Sequence, residues 1–136
     1  MTVYEKLLEK AKKARDGAYA PYTNYSVGAA LLCDDGRIYT GCNIENAALT
    51  PSICAERAAF FKAVSEGERR FVMIAIVGGK VGQDEGFAPP CGVCRQVMAE
   101  FCRDNFEIVL LKDGRPYVTT LNAALPDRFT AKNFER

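Results

Sequence analysis

The chain contains no histidine and no tryptophan. Without imidazole, a metal site has to be built from thiolate or carboxylate, and a general acid or base has to be some other side chain. No stretch approaches the roughly 18 consecutive apolar residues of a membrane span. Excess charge is missing too. Lys and Arg total 18 against 17 Asp and Glu, a net charge of +1, with no basic run and no acidic tail. That balance argues against an extended phosphate-binding surface, so a nucleic-acid polymer is a poor ligand. The opening residues, MTVYEKLLEKAKKARDGAY, mix charged with apolar positions at helical spacing and do not read as a signal peptide. A cytoplasmic setting follows as the expectation. There the six cysteines bind metal or stay free rather than pair.

What is present is an ordinary globular composition: 136 residues, 49% apolar and 26% charged. This is enough for one domain over residues 1–136 with a core of its own. Val3, Leu7, Leu8, Ala11, Ala14 and Ala18 share one helical face and predict a helix over residues 2–18. YSVGAALLC at 25–33 reads as a strand buried on both faces. DDG at 34–36 turns the chain, and RIYTGCN returns as a second strand. A helix over 54–66, ended by Gly67, precedes a continuous apolar strand at 71–79. A glycine- and proline-rich loop leads to a helix over 92–103. EIVLL, a KDG turn and RPYVTT then supply two more strands before a short helix near 120–124. Alternating strands and helices after the hairpin predict an α/β fold, a mixed sheet with helices on both faces.

The cysteines carry the chemistry. Cys54 lies at one helix start, and Cys91 and Cys94 form a C-x-x-C at another. A right-handed crossover through the intervening strand would bring both helix starts to one edge of the sheet. Exposed N–H groups and the helix dipole there favour thiolate over thiol. Three thiolates make a soft site for Zn²⁺ with a fourth position open, the arrangement of a catalytic rather than a structural zinc. Cys33, Cys42 and Cys102 read as small buried hydrophobes.

Glu56 stands two residues beyond Cys54, where it can lean over the open position and move protons. Zinc lowers the pKa of bound water from about 15.7 towards 7. Three thiolates leave the cluster net negative, which opposes forming hydroxide. Arg57, with Arg95, is therefore expected to donate to ligand sulfurs and offset that charge.

CAE at 54–56 followed by PCGVC at 90–94 resembles the H/C-x-E…P-C-x-x-C signature of the zinc nucleoside and nucleobase deaminases, in an all-thiolate version. AYAPYTNYSVGAALL at 18–32, GCNIENAA at 41–48, CAERAAFFKAVSEG at 54–67 and PCGVCRQVMAEF at 90–101 narrow the likeness. Together they resemble the small, homotetrameric cytidine deaminases, and the likeness runs through nearly the whole chain. It implies a three-layer α/β/α sandwich with a mixed five-stranded sheet and one Zn²⁺ per chain. It implies hydrolytic deamination of cytidine and 2′-deoxycytidine in pyrimidine salvage, by zinc-bound hydroxide attack at C4. Glu56 would protonate N3 and then the departing amine. The resemblance assigns Asn43 and Glu45 to the ribose. The base falls to the Ala55 N–H and to groups around Pro90 and Cys91. Phe129 is the candidate for an aromatic that reaches into a neighbouring subunit's site.

Two positions depart from the family pattern. Tyr25 stands on the substrate wall where phenylalanine is common, and Pro89 where serine is common. Other readings predict different things. A deaminase of a modified aminonucleoside has no need of NIENAA as a ribose ligand. A zinc-stabilised binding module predicts a fourth protein ligand and no use for Glu56.

Overall fold

Thr2 opens the first helix. Its hydroxyl accepts from the Glu5 amide at 3.1 Å while the Glu5 carboxylate accepts from the Thr2 amide at 2.9 Å, a reciprocal capping box. The structure, a computed structural model, describes residues 1–135. Helix α1 spans Val3–Arg15 and ends before Ala18, the last position its apolar spacing had suggested. The chain instead tightens through Asp16 and Gly17, and the Ala18 amide bonds the Arg15 carbonyl at 3.1 Å.

Strands β1 (Tyr25–Cys33) and β2 (Ile38–Cys42) form the expected hairpin. Gly36 turns it at φ +89°, a conformation that favours glycine. Helix α2 (Ala55–Ser65), strand β3 (Phe71–Lys80), helix α3 (Gly92–Phe101), strands β4 (Glu107–Lys112) and β5 (Arg115–Thr120) and the short helix α4 (Leu121–Ala124) follow. A 3-10 turn at Ala131–Phe134 has no counterpart in the sequence reading. The strand order is β2-β1-β3-β4-β5, and only β3 and β4 run parallel. The sheet is therefore mixed and five-stranded, as expected. No helix among the described residues is long and apolar enough to cross a membrane.

Strand alternation explains the unbroken apolar runs. Ala30, Met73, Ala75, Val77 and Val109 face α1 and pack with Leu7, Leu8 and Ala11. Ala29, Leu31, Ile74, Ile76 and Ile108 point the other way, into a core with Phe60 of α2 and Met98 of α3. Both faces are covered, and the fold is a three-layer α/β/α sandwich.

Two glycines let the helices lie close enough to place the site. A Cβ at Gly41 would come within 2.5 Å of the Ala55 carbonyl oxygen and 2.7 Å of the Ala59 nitrogen, so the start of α2 rests directly on β2. A Cβ at Gly28 would collide with the Ala11 carbonyl and come within 2.5 Å of the Arg15 nitrogen. Backbone cannot yield as a side chain can. Gly28→Ala is therefore expected to cost about 3 kcal/mol of stability, read from the urea midpoint at unchanged slope.

Candidate active site

Cys54 is the N-cap of α2 and Cys91 the N-cap of α3, with Cys94 in the first turn of α3. The two helix starts meet at the same end of the sheet. Cys54 Sγ and Cys91 Sγ are 3.7 Å apart, Cys91 Sγ and Cys94 Sγ 3.3 Å apart, and all three sulfurs lie within 4.8 Å of one another. Tetrahedral zinc with Zn–S bonds of about 2.3 Å separates its sulfurs by roughly 3.8 Å. The triangle is thus the right size for zinc, and sulfur donors suit it. The sulfurs are also graded in exposure, Cys94 buried, Cys54 half-buried and Cys91 exposed, so the cluster opens towards solvent on one side.

The thiols are already polarised. Cys54 is pulled down to about 5, chiefly by its hydrogen bond with Cys94 and then by Arg57, against the opposing effect of burial. The same sulfur–sulfur contact and burial push Cys94 up. Arg57 Nη2 donates to Cys54 Sγ at 3.4 Å, as its position next to C-x-E suggested. Arg57 Nε is buried with no hydrogen-bond partner among the described residues. Glu56 is only 4% exposed, and burial raises its carboxyl to about 7.

Cys54, Cys91 and Glu56 line a cavity of about 490 Å³, within the usual range of small-molecule sites. Tyr25, Val27, Ile53 and Ala88 give it mostly apolar walls, and Asn43 and Glu45 lie on the same cavity. Glu45 accepts from the Tyr22 and Thr23 amides at 3.0 and 3.1 Å and from the Thr23 hydroxyl. Those bonds hold its carboxyl below the usual range, the Thr23 hydroxyl contributing most. Asn43 bridges β1: its Oδ1 accepts from the Val27 amide and its Nδ2 donates to the Tyr25 carbonyl, both at 2.8 Å. Thr23 was legible in the sequence only as part of a turn, because its bond to Glu45 crosses 22 residues.

Several expectations need correcting. Arg95 reaches no sulfur. Its Nε donates to the Pro90 carbonyl at 2.8 Å and its Nη1 to the Ala124 carbonyl at 2.6 Å, so it ties the metal loop to α4. Pro90 is buried, and Ala88 and Pro89 line the cavity in its place. Phe129 needs no such correction: expected to serve a neighbouring subunit's site, it is 57% exposed and packs against Phe134 with ring centroids 5.4 Å apart, outside the cavity of its own chain. Cys33 is buried as expected, but Cys42 and Cys102 are only half-buried.

An α/β/α sandwich with three clustered sulfurs and a buried carboxyl beside a small-molecule cavity defines a metal-dependent enzyme. Residues 1–110 match the family described as "Cytidine and deoxycytidylate deaminase zinc-binding region". The chain belongs to that family. It is 49% identical over 130 residues to a cytidine deaminase of Sporosarcina psychrophila, covering 95% of this chain and 93% of the relative. It is 46% identical over 128 residues to the cytidine deaminase of Halalkalibacterium halodurans, covering 93% of this chain and 94% of that one. The crystal structure of cytidine deaminase from Burkholderia pseudomallei superposes with a TM-score of 0.85 at 46% identity, covering 95% of this chain and all of that one (100%). Zinc is the metal that the family and the sulfur cluster jointly define.

Proposed function

We propose that the chain hydrolyses cytidine and 2′-deoxycytidine to uridine and 2′-deoxyuridine, releasing ammonia, as a single deaminase domain acting in pyrimidine salvage. The observation that carries this reading is a buried carboxyl, Glu56, beside three clustered sulfurs on a cavity whose lining also includes an amide and a carboxylate.

Cys54, Cys91 and Cys94 would hold the zinc, which would supply Lewis acidity that makes water acidic near neutral pH. Glu56 would accept a proton from water and deliver it to N3 of the pyrimidine, then carry the second water proton to the amine leaving C4 as ammonia. Burial suits the role, because a carboxyl raised towards neutrality can both accept and give a proton. Arg57 offsets the negative charge of the thiolates through its bond to Cys54. Glu45, oriented by Thr23, and Asn43, fixed between β1 carbonyl and amide, receive the ribose hydroxyls. Tyr25 and Val27 flank the base, with the Ala55 amide and the backbone around Cys91 at its polar edge. Glu45→Gln is accordingly expected to raise KM for cytidine about tenfold with zinc content unchanged, measured by steady-state kinetics.

The family likeness further supports a homotetramer in which Phe129 of one subunit approaches a neighbour's cavity. A reducing, cytoplasmic setting suits six free cysteines. The deciding experiment follows the fall in the cytosine absorbance band when purified protein meets cytidine, with metal assayed in the same sample. Turnover with about one zinc per chain supports the assignment. Full zinc with turnover of neither nucleoside rejects the substrate and directs attention to modified aminonucleosides.

A further inference from the structure

We propose that Arg15, which does not itself line the cavity, is a positioning residue that fixes the loop carrying Ala88 and Pro89 against strand β1 and so sets the affinity for the nucleoside. The inference rests on the nucleoside reading of that cavity. Arg15 ends α1 and is only 7% exposed. Its Nε donates to the Ser26 carbonyl at 3.1 Å and to the Ser26 hydroxyl at 2.8 Å. Its Nη1 donates to the Gln83 carbonyl at 2.8 Å and its Nη2 to the Lys80 carbonyl at 2.7 Å. Glu85 adds a carboxylate 3.8 Å from Nη1. One planar guanidinium thereby joins a strand to a loop, a span that an ammonium cannot reproduce.

The strand and the loop it joins both carry residues of the cavity lining. Ser26 stands between Tyr25 and Val27, which line the cavity. The loop that follows Lys80, the last residue of β3, holds Gln83 and runs on to Ala88, Pro89 and Cys91, which line it too. The Gly86 amide pins the same loop to the Gly78 carbonyl at 2.7 Å. Two adjacent glycines keep room for this arrangement. A Cβ at Gly79 would meet Arg15 Nη2 at 3.0 Å and the Asp84 carbonyl at 2.8 Å, so its absence leaves the guanidinium its berth. A Cβ at Gly78 would meet Ala88 Cβ at 2.9 Å, the Tyr25 hydroxyl at 3.0 Å and Val27 Cγ2 at 3.1 Å, so strand β1 and the loop approach each other there.

Three variants test the role, with zinc content, kcat and KM measured on each. Arg15→Lys keeps the charge and loses the span. Gly79→Ala leaves the guanidinium chemically intact but crowds it and the Asp84 carbonyl out of their places. Arg15→Ala opens a space that added guanidinium can fill. The first two are expected to raise KM for cytidine about tenfold while kcat stays within about twofold and zinc is retained. Millimolar guanidinium is expected to lower the KM of Arg15→Ala; if that variant does not fold, the other two decide. Unchanged KM in both Arg15→Lys and Gly79→Ala, or kcat falling in step with zinc content, overturns the proposal. Should the unaltered protein convert no cytidine, the nucleoside reading fails separately. Amide hydrogen exchange over residues 81–87 then still decides the positioning role: faster exchange in Arg15→Lys supports it, and unchanged exchange overturns it.

Discussion

Glu56→Gln is expected to lower kcat for cytidine about 10³-fold while the protein keeps its fold and its zinc. The size follows from the role, because a positioned general acid–base contributes about 10²- to 10⁴-fold. Gln matches Glu in shape and fills the same buried volume beside Ala55 and Arg57, so nothing in the packing of α2 has to move. It cannot take a proton from water or hand one to a ring nitrogen. Neither can Arg57, whose guanidinium stays protonated and is held more firmly so by its bond to Cys54. The chain has no histidine to stand in, and the other carboxylate of the cavity, Glu45, is engaged by Thr23 and the Tyr22 amide. Steady-state kinetics with zinc analysis on the same preparation checks this. A variant with full zinc and kcat within tenfold of the parent, a loss of less than about 1.4 kcal/mol, would remove Glu56 from the proton transfer.

Cys91→Ser is expected to abolish zinc retention, and activity with it. Cys91 is the exposed member of the cluster, so exchanging sulfur for oxygen disturbs the core little. A serine hydroxyl is a poor zinc ligand at neutral pH, and two thiolates do not hold the ion against dialysis with a mild chelator. Because zinc binds the folded state, the parent should lose thermal stability on chelation and the variant should not, since it has no ion to lose. Cys102→Ser is the control. Cys102 lies at the end of α3, away from the cluster, with burial alone raising its thiol. It should keep about one zinc per chain. If Cys91→Ser retains zinc and Cys102→Ser loses it, the ligand set is wrong.

The strands were legible almost to the residue because their signals are local. The apolar run at 71–79 and the DDG turn at 34–36 specify β3 and the hairpin without reference to anything distant. The sulfur cluster was legible for a different reason. Three thiols at two helix starts restrict the chemistry more than they restrict the geometry. What escaped were bonds from long side chains to distant backbone carbonyls. Arg95 was expected at a sulfur because it follows Cys94, yet it bonds Ala124, 29 residues on. Arg15 carried no signal of its own in the sequence and proves buried, bonded to carbonyls 65 and 68 residues away. A carbonyl is offered at every position, so residue type gives no hint of which one a guanidinium will choose. The end of α1 escaped similarly: Ala14 and Ala18 keep the apolar spacing, and alanine favours a helix without fixing where it stops.

Cys54 begins α2 without making the side-chain hydrogen bond that a Ser, Thr, Asp or Asn would make there. Such a bond is worth about 1 kcal/mol, and this helix start does without it. The start is held from the side instead, by contact with β2 over Gly41 and by whatever the sulfur grips. Removing zinc therefore takes a hold from the working end of the molecule rather than from its periphery, so stability and readiness for catalysis are gained at one and the same place.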